Sequence, residues 1–257
     1  MSGTRDALMV QILFAIARGA GGVRISREAS AWLSGRYRPW LTETKPGLSQ
    51  PPLAVWEDEG RGFLAKFKEI GERAREIGGG GVLRVEDLVA AAGQVEIEAT
   101  FPYCPAWPPP AGLEMEAPLE EAIFGQIVFA LARGAGNACL SFDACAWFHD
   151  RYAPWLTATK LELIASPLET WEVMGNGFLS RFKAIGEGAR SGVRSVMGVS
   201  GGEISREELQ ASAWEVESES PCPYCPSEPT PGVEDEDALG WYTGLGSGSL
   251  PRVQLPA

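Results

Sequence analysis

The chain has 257 residues, a formal net charge of −12 and 45% apolar residues, a share large enough to bury real cores and to exclude a wholly disordered chain. Its acidity, with no basic stripe anywhere, argues against nucleic acid and against anionic membrane surfaces as partners. Five cysteines, an odd and sparse set for this length, exclude a disulfide scaffold.

The first predicted element is a buried helix over Ala7 to Arg18, apolar on most of its faces. Arg5 followed by this apolar run has the outline of a secretory signal. The run nevertheless recurs in mid-chain, as QILFAIA at Gln11 and QIVFALA at Gln126. It therefore reads as a core helix, and the chain as soluble and cytoplasmic. Gly19 to Gly22 should end it, because glycine takes the left-handed cap conformation readily. Ser26 suits the N-cap of a second helix, which Pro39 should stop at Arg38. Pro46 to Pro52 reads as loop. Phe63, Phe67, Ile70 and Ala74 fall at helical spacing and predict an amphipathic helix over Gly62 to Ile77. Gly78 to Gly81 should stop it, with another helix over Glu86 to Ala92.

The same order then returns. ILFAIARGAG at Ile12 matches IVFALARGAG at Ile127, and RYRPWLTETK at Arg36 matches RYAPWLTATK at Arg151. At an offset of 115, more than half of positions 12–75 are identical to positions 127–190. Six extra residues follow Arg190, and PYCP at Pro102 then pairs with PYCP at Pro223. Ser205 and Glu208 form a capping-box sequence. The expected fold is mostly α: two tandem homologous helical domains, each of about four helices joined by short Gly-rich loops. The domains are expected at 1–105 and 122–226, with a Pro- and acid-rich linker at 106–121 and a disordered acidic tail at 227–257. Linker and tail each carry four net negative charges.

The loops share a rhythm: glycines, one aliphatic residue, a Ser and an acidic helix start, as in GGVRISREA at Gly21, GNACLSFDA at Gly136 and GGEISREEL at Gly201. GGVLRVEDL at Gly80 keeps it without the Ser. This resembles the second half of an EF-hand loop. The resemblance implies pairs of helix–loop–helix units, with Ile25, Leu83, Leu140 and Ile204 pairing between neighbouring loops in short β-bridges. It does not imply calcium. Such a loop draws ligands mainly from positions 1, 3, 5, 7, 9 and 12. With Ile204 at position 8, positions 1, 3 and 5 are Met197, Val199 and Gly201, and the other loops fare no better.

Candidate chemistry is sparse. Cys222-Pro-Tyr-Cys225 resembles the redox motif of glutaredoxins, but prolines follow it and the first repeat keeps only Cys104. Cys104, Cys222 and Cys225 would make three of the four ligands of a zinc site. His149 is the only histidine and Ser34 takes its place in the first repeat, so no triad recurs. A lone histidine on a helix reads as polar surface. Glu57, Glu172, Glu72 and Glu187 recur and would need a shared cleft to act as paired carboxylates. Gly19-Ala20-Gly21 lacks the Gly-Lys-Ser/Thr of a phosphate loop. Cys139 and Cys145 read as small semi-buried residues.

Aromatic residues recur most fully. Trp32, Tyr37, Trp40, Trp56, Phe63 and Phe67 return as Trp147, Tyr152, Trp155, Trp171, Phe178 and Phe182. Most should be core. The partner-binding candidates are Trp32, Tyr37, Trp40, Trp56, Trp147, Tyr152, Trp155 and Trp171, as groove anchors. Arg36, Lys45, Arg151 and Lys160 beside them would suit an acidic peptide. The expected function is a non-enzymatic adaptor with a protein or peptide partner and no cofactor. The alternatives are a thiol or zinc protein using the PYCP corners, or an enzyme with a carboxylate site.

Overall fold

The computed structural model describes residues 2–48, 63–98, 118–165, 178–192 and 202–219. Among these the chain is mostly helical. The first half holds α1 (Ser2–Gly19), β1 (Arg24–Ile25), α2 (Arg27–Leu48), α3 (Phe63–Gly78), β2 (Val82–Leu83) and α4 (Val85–Glu98). The second half holds α5 (Leu119–Ala135), β3 (Cys139–Leu140), α6 (Phe142–Ala165), α7 (Phe178–Gly192), β4 (Glu203–Ile204) and α8 (Arg206–Glu219). Both halves thus follow one element order.

Local chemistry explains the boundaries. Ser26 Oγ accepts from the Ala29 N–H at 3.1 Å, and Ser141 Oγ from the Ala144 N–H at 3.1 Å, each capping a helix start. Ser205 and Glu208 form a reciprocal box: the Ser205 N–H donates to Glu208 Oε2 at 2.8 Å and the Glu208 N–H to Ser205 Oγ at 3.3 Å. In the loop at Gly80 only half of that arrangement exists, with the Arg84 N–H donating to Asp87 Oδ2 at 3.0 Å. Ile25 pairs with Leu83, and Leu140 with Ile204, in two short parallel ladders.

Three expectations are corrected. Pro39 does not end α2, which continues to Leu48, and α6 likewise runs through Pro154. Both proline rings are exposed. The hydrogen bond each cannot make lies on the outer face, where solvent serves the freed carbonyl and gentle outward curvature relieves the ring. Flanking core residues (Tyr37 and Leu41, Tyr152 and Leu156) hold the helix on both sides. Leu119 to Glu121 are not linker. They form the first turn of α5, where Glu120 and Glu121 complement the positive helix end.

Gly19 is not a loop cap either. It lies in the last turn of α1, and a Cβ there would overlap the Lys68 carbonyl of α3. Reciprocally, a Cβ on Gly71 would overlap the Ile16 carbonyl of α1. Gly134 and Gly186 repeat the arrangement between α5 and α7, against the carbonyls of Lys183 and Leu131. Each half is therefore built on a backbone-to-backbone crossing that only glycine permits. The left-handed turn itself is made by Gly21 and Gly22, at φ 67° and 83°.

The halves do not stand apart. α1 and α5 pack on each other, α1 lies on α6 of the second half, and α5 lies on α2 of the first. A single cluster of buried apolar residues runs through both halves. Asp6 to Ala17 of α1 are all buried, as are Ala122 to Ala132 of α5. Helices apolar all round are the ones a core surrounds.

Candidate functional site

The charged and aromatic residues that recur most faithfully meet inside each half. Arg36, Tyr37 and Glu96 are all buried. Arg36 makes a buried two-point ion pair with Glu96, its Nε lying 3.3 Å from Oε1. The Tyr37 hydroxyl donates to the same carboxylate at 3.0 Å. Arg36 also lies 6.0 Å from the Trp32 ring and 5.8 Å from the Tyr37 ring. The second half repeats this with Arg151, Glu217 and Tyr152, at 3.4 Å for Nε to Oε1 and 2.7 Å for the hydroxyl. Arg151 lies 5.9 Å from Trp147 and 5.6 Å from Tyr152. Tyr37 and Tyr152 stand edge-on to Phe67 and Phe182, at 4.8 and 4.9 Å between centroids.

Arg36 and Arg151 are accordingly spent on internal carboxylates and do not form the surface for an acidic peptide. Burial pushes the Glu96 carboxyl above its ordinary range, against the pull of Arg36 and Tyr37. Tyr152 is pushed well up, first by burial and then by the charge of Glu217. Burial opposes the charge on Arg151, but the bond and charge of Glu217 win and raise its pKa. These are locks between α2 and α4 and between α6 and α8.

The groove anchors divide. Tyr37 and Tyr152 are fully buried, and Trp32 and Trp155 nearly so. A ring enclosed by its own core offers a partner nothing, so these four belong to the fold. Trp40 and Trp147 are half-buried. Trp56 and Trp171 lie outside the described residues, as do Glu57, Glu172, Cys104, Cys222 and Cys225, so the PYCP corners do too. The backbones of Lys45 and Lys160 are helical, toward the C-terminal ends of α2 and α6.

The carboxylate candidates are surface groups. Glu72 pairs with Lys68 at 2.8 Å and Glu187 with Lys183 at 2.9 Å, each one helical turn away. Such exposed pairs contribute only about 0.3–0.5 kcal/mol. Among the described residues, no group of three His, Cys, Asp or Glu is placed to hold a metal. Glu208, at the last ligand position of the EF-hand-like loop, is already committed to its own helix cap.

His149 is more than polar surface. It lies at the junction of the halves, its Nε2 3.7 Å from Asp6 Oδ1 and its Nδ1 3.4 Å from Asp150 Oδ1, edge-on to Phe124. Arg38 pairs with Asp6 of its own half at 2.9 Å and reaches across the same junction to Glu121 at 3.1 Å. Nearby, the Ser30 hydroxyl donates to the Ala122 carbonyl at 2.6 Å, and Gln126 Nε2 to the Ile25 carbonyl at 3.1 Å. Cys139 is buried and accepts from Arg18 Nη1 at 2.6 Å, again across the junction. Cys145 is wholly buried.

Two features escaped sequence reasoning. One is a small, partly open cleft beside β1, with room for little more than a water molecule, lined by residues of both halves. The other is Trp214 of α8, which is 66% exposed. Requiring a site to appear in both repeats discards Trp214, whose counterpart at the later offset is Gly93. Its sequence signal is local: a tryptophan beside Glu215 in the polar helix REELQASAWEVESE.

Among the described residues, no helix is long and apolar enough to cross a membrane. Comparison with known family models, curated proteins and solved structures finds no match to this chain.

Proposed function

We propose that the chain is a non-enzymatic interaction protein, built from a duplicated helical unit, that docks a protein or peptide partner through the exposed face of α8. The observation that carries this reading is Trp214. Tryptophan is rarely left this open to water, and it is the residue type most enriched at binding hot spots. The recurring charged residues support the same reading, because Arg36, Glu96, Arg151 and Glu217 are engaged in holding helices together. The repeated helix–loop–helix order supports kinship of each half with EF-hand-like pairs, without calcium. The sparse cysteines suit a cytoplasmic setting.

A photo-crosslinking residue placed at position 214 of the full chain, in its native cells, tests this. The expected result is a discrete adduct at 214 that is missing when the same residue replaces the exposed Glu76. Equal labelling at both positions, or none at 214, would overturn it.

A further inference from the structure

We infer that the exposed stripe of α8 docks a cationic segment of a partner protein, with an arginine side chain stacked on the Trp214 ring. The inference rests on the docking reading and gives the partner its chemistry. At 3.6 residues per turn, Glu207, Ala211, Trp214, Glu215 and Ser218 share one face of the helix, and all five are exposed. The residues three and four positions from Trp214 are its neighbours on that surface. Ala211 and Ser218 are small, and the Ser218 hydroxyl donates back to the Glu215 carbonyl at 2.9 Å. Glu217 is locked to Arg151. The Gln210 amide, with its oxygen turned toward them, accepts from Trp147 Nε1 at 3.0 Å and from Arg206 Nε at 3.1 Å. The neighbours are thus short or engaged elsewhere, which leaves the tryptophan 66% exposed.

Charge selects the occupant. From Glu203 to Glu219 the sequence holds six glutamates and one arginine. Glu208 is spent on the helix cap and Glu217 on Arg151. Glu207 and Glu215 remain on the exposed stripe, and among the described residues neither makes an ion pair. An acidic segment would be repelled by these carboxylates. A cation gains twice, from the carboxylates and from the electron-rich face of the ring, and tryptophan is the ring that binds cations best. Arginine fits better than lysine, because its planar group stacks on a ring while its N–H donors reach a carboxylate. The core already uses this arrangement twice. Arg36 lies by Trp32 while paired with Glu96, and Arg151 lies by Trp147 while paired with Glu217. The α8 stripe presents the tryptophan and the glutamates, and the partner supplies the arginine.

The equivalent face of α4 provides a contrast. Gly93, Gln94 and Ile97 stand where α8 has Trp214, Glu215 and Ser218. Gly93 is buried and Ile97 is exposed. That face keeps Glu86, the counterpart of Glu207, but has neither the ring nor the second carboxylate. Recognition of a cation therefore belongs to the second half alone.

The test is a fluorescence-anisotropy titration of the full chain with two labelled, amidated amphipathic peptides, one bearing arginines and the other citrullines at the same positions. The arginine peptide should bind, and the uncharged citrulline peptide should bind about tenfold more weakly. Trp214→Ala should weaken the arginine peptide about tenfold or more. Glu207→Gln with Glu215→Gln should weaken it about threefold. Glu76→Gln with Glu86→Gln removes the same charge from exposed sites of the first half and should leave binding unchanged. Equal affinity for the two peptides, indifference to Trp214→Ala, an equal loss from the control pair, or no binding at millimolar concentration overturns the inference. A dimer of the full chain that Trp214→Ala dissolves would seat a second copy on this face and overturn it as well. A crosslinked adduct at position 214 without binding of the arginine peptide removes this inference alone, whereas a missing adduct removes the docking reading and this inference with it.

Discussion

The two halves agree where each holds itself together and differ where they hold each other. Gly19 and Gly71 against Gly134 and Gly186, and Arg36–Tyr37–Glu96 against Arg151–Tyr152–Glu217, are matched pairs within halves. At the junction the matches dissolve. Arg38 bridges Asp6 and Glu121, but its counterpart is Ala153. Ser30 bonds the Ala122 carbonyl over Gly125, whereas the counterpart positions are Cys145 and Val10. Arg24 corresponds to Cys139, and Ser34 to His149. A junction whose two sides are free to differ can fit a small side chain on one side to a large one on the other. It can also open a small cleft, as beside β1.

The largest effect should separate the two locks. Glu96→Ala leaves the Arg36 guanidinium buried without its carboxylate and should cost about 3–5 kcal/mol in urea unfolding. Glu217→Ala should cost less, because the Arg151 side chain is 17% exposed against 3% for Arg36. Equal losses would mean that the locks do not differ as their burial says. pH sharpens this further. Burial holds the folded Glu96 pKa above its unfolded value of about 4.3. Its contribution is then fully present below that value and is lost as pH rises through the folded pKa. Wild-type stability relative to Glu96→Gln should therefore fall as pH rises from about 4.3 through the folded pKa.

Next in size are the crossings. Gly71→Ala and Gly186→Ala each force two helix backbones apart and should each cost about 2–3 kcal/mol. A loss in only one half would break the equivalence of the two crossings. Smallest is the junction itself. Ser30→Ala removes one hydrogen bond and should cost about 1 kcal/mol. Gly125→Ala collides with the Ser30 hydroxyl but, once that hydroxyl is gone, meets the residue 30 Cβ at 3.4 Å and Leu13 Cδ1 at 3.9 Å, ordinary contacts. A double-mutant cycle should show the double variant more stable than the sum of the singles predicts, and strict additivity would deny the contact.

What was legible in sequence was local. Ser26, Ser141 and the Ser205–Glu208 box announce helix starts because the cap and its target lie within three residues. The four aliphatic loop residues announce their ladders by repeated position. Arg36 looked like surface charge because its carboxylate lies 60 residues away. Gly19 looked like a cap because a cap and a helix crossing ask the same thing of a side chain, namely that there be none. Pro39 looked like a stop because its exposure, which makes it tolerable, depends on the packing of the opposite face. Trp214 was lost to the comparison of repeats, which recovers shared features and discards private ones.

The sharing of α1 between halves sets an order on biosynthesis. This helix leaves the ribosome before any other described element, yet α5 and α6, which cover part of it, are translated more than a hundred residues later. Its apolar face must wait through the making of the first half, open to chaperones and to other nascent chains. Burial of α1, begun by α3, is extended only when α5 and α6 arrive.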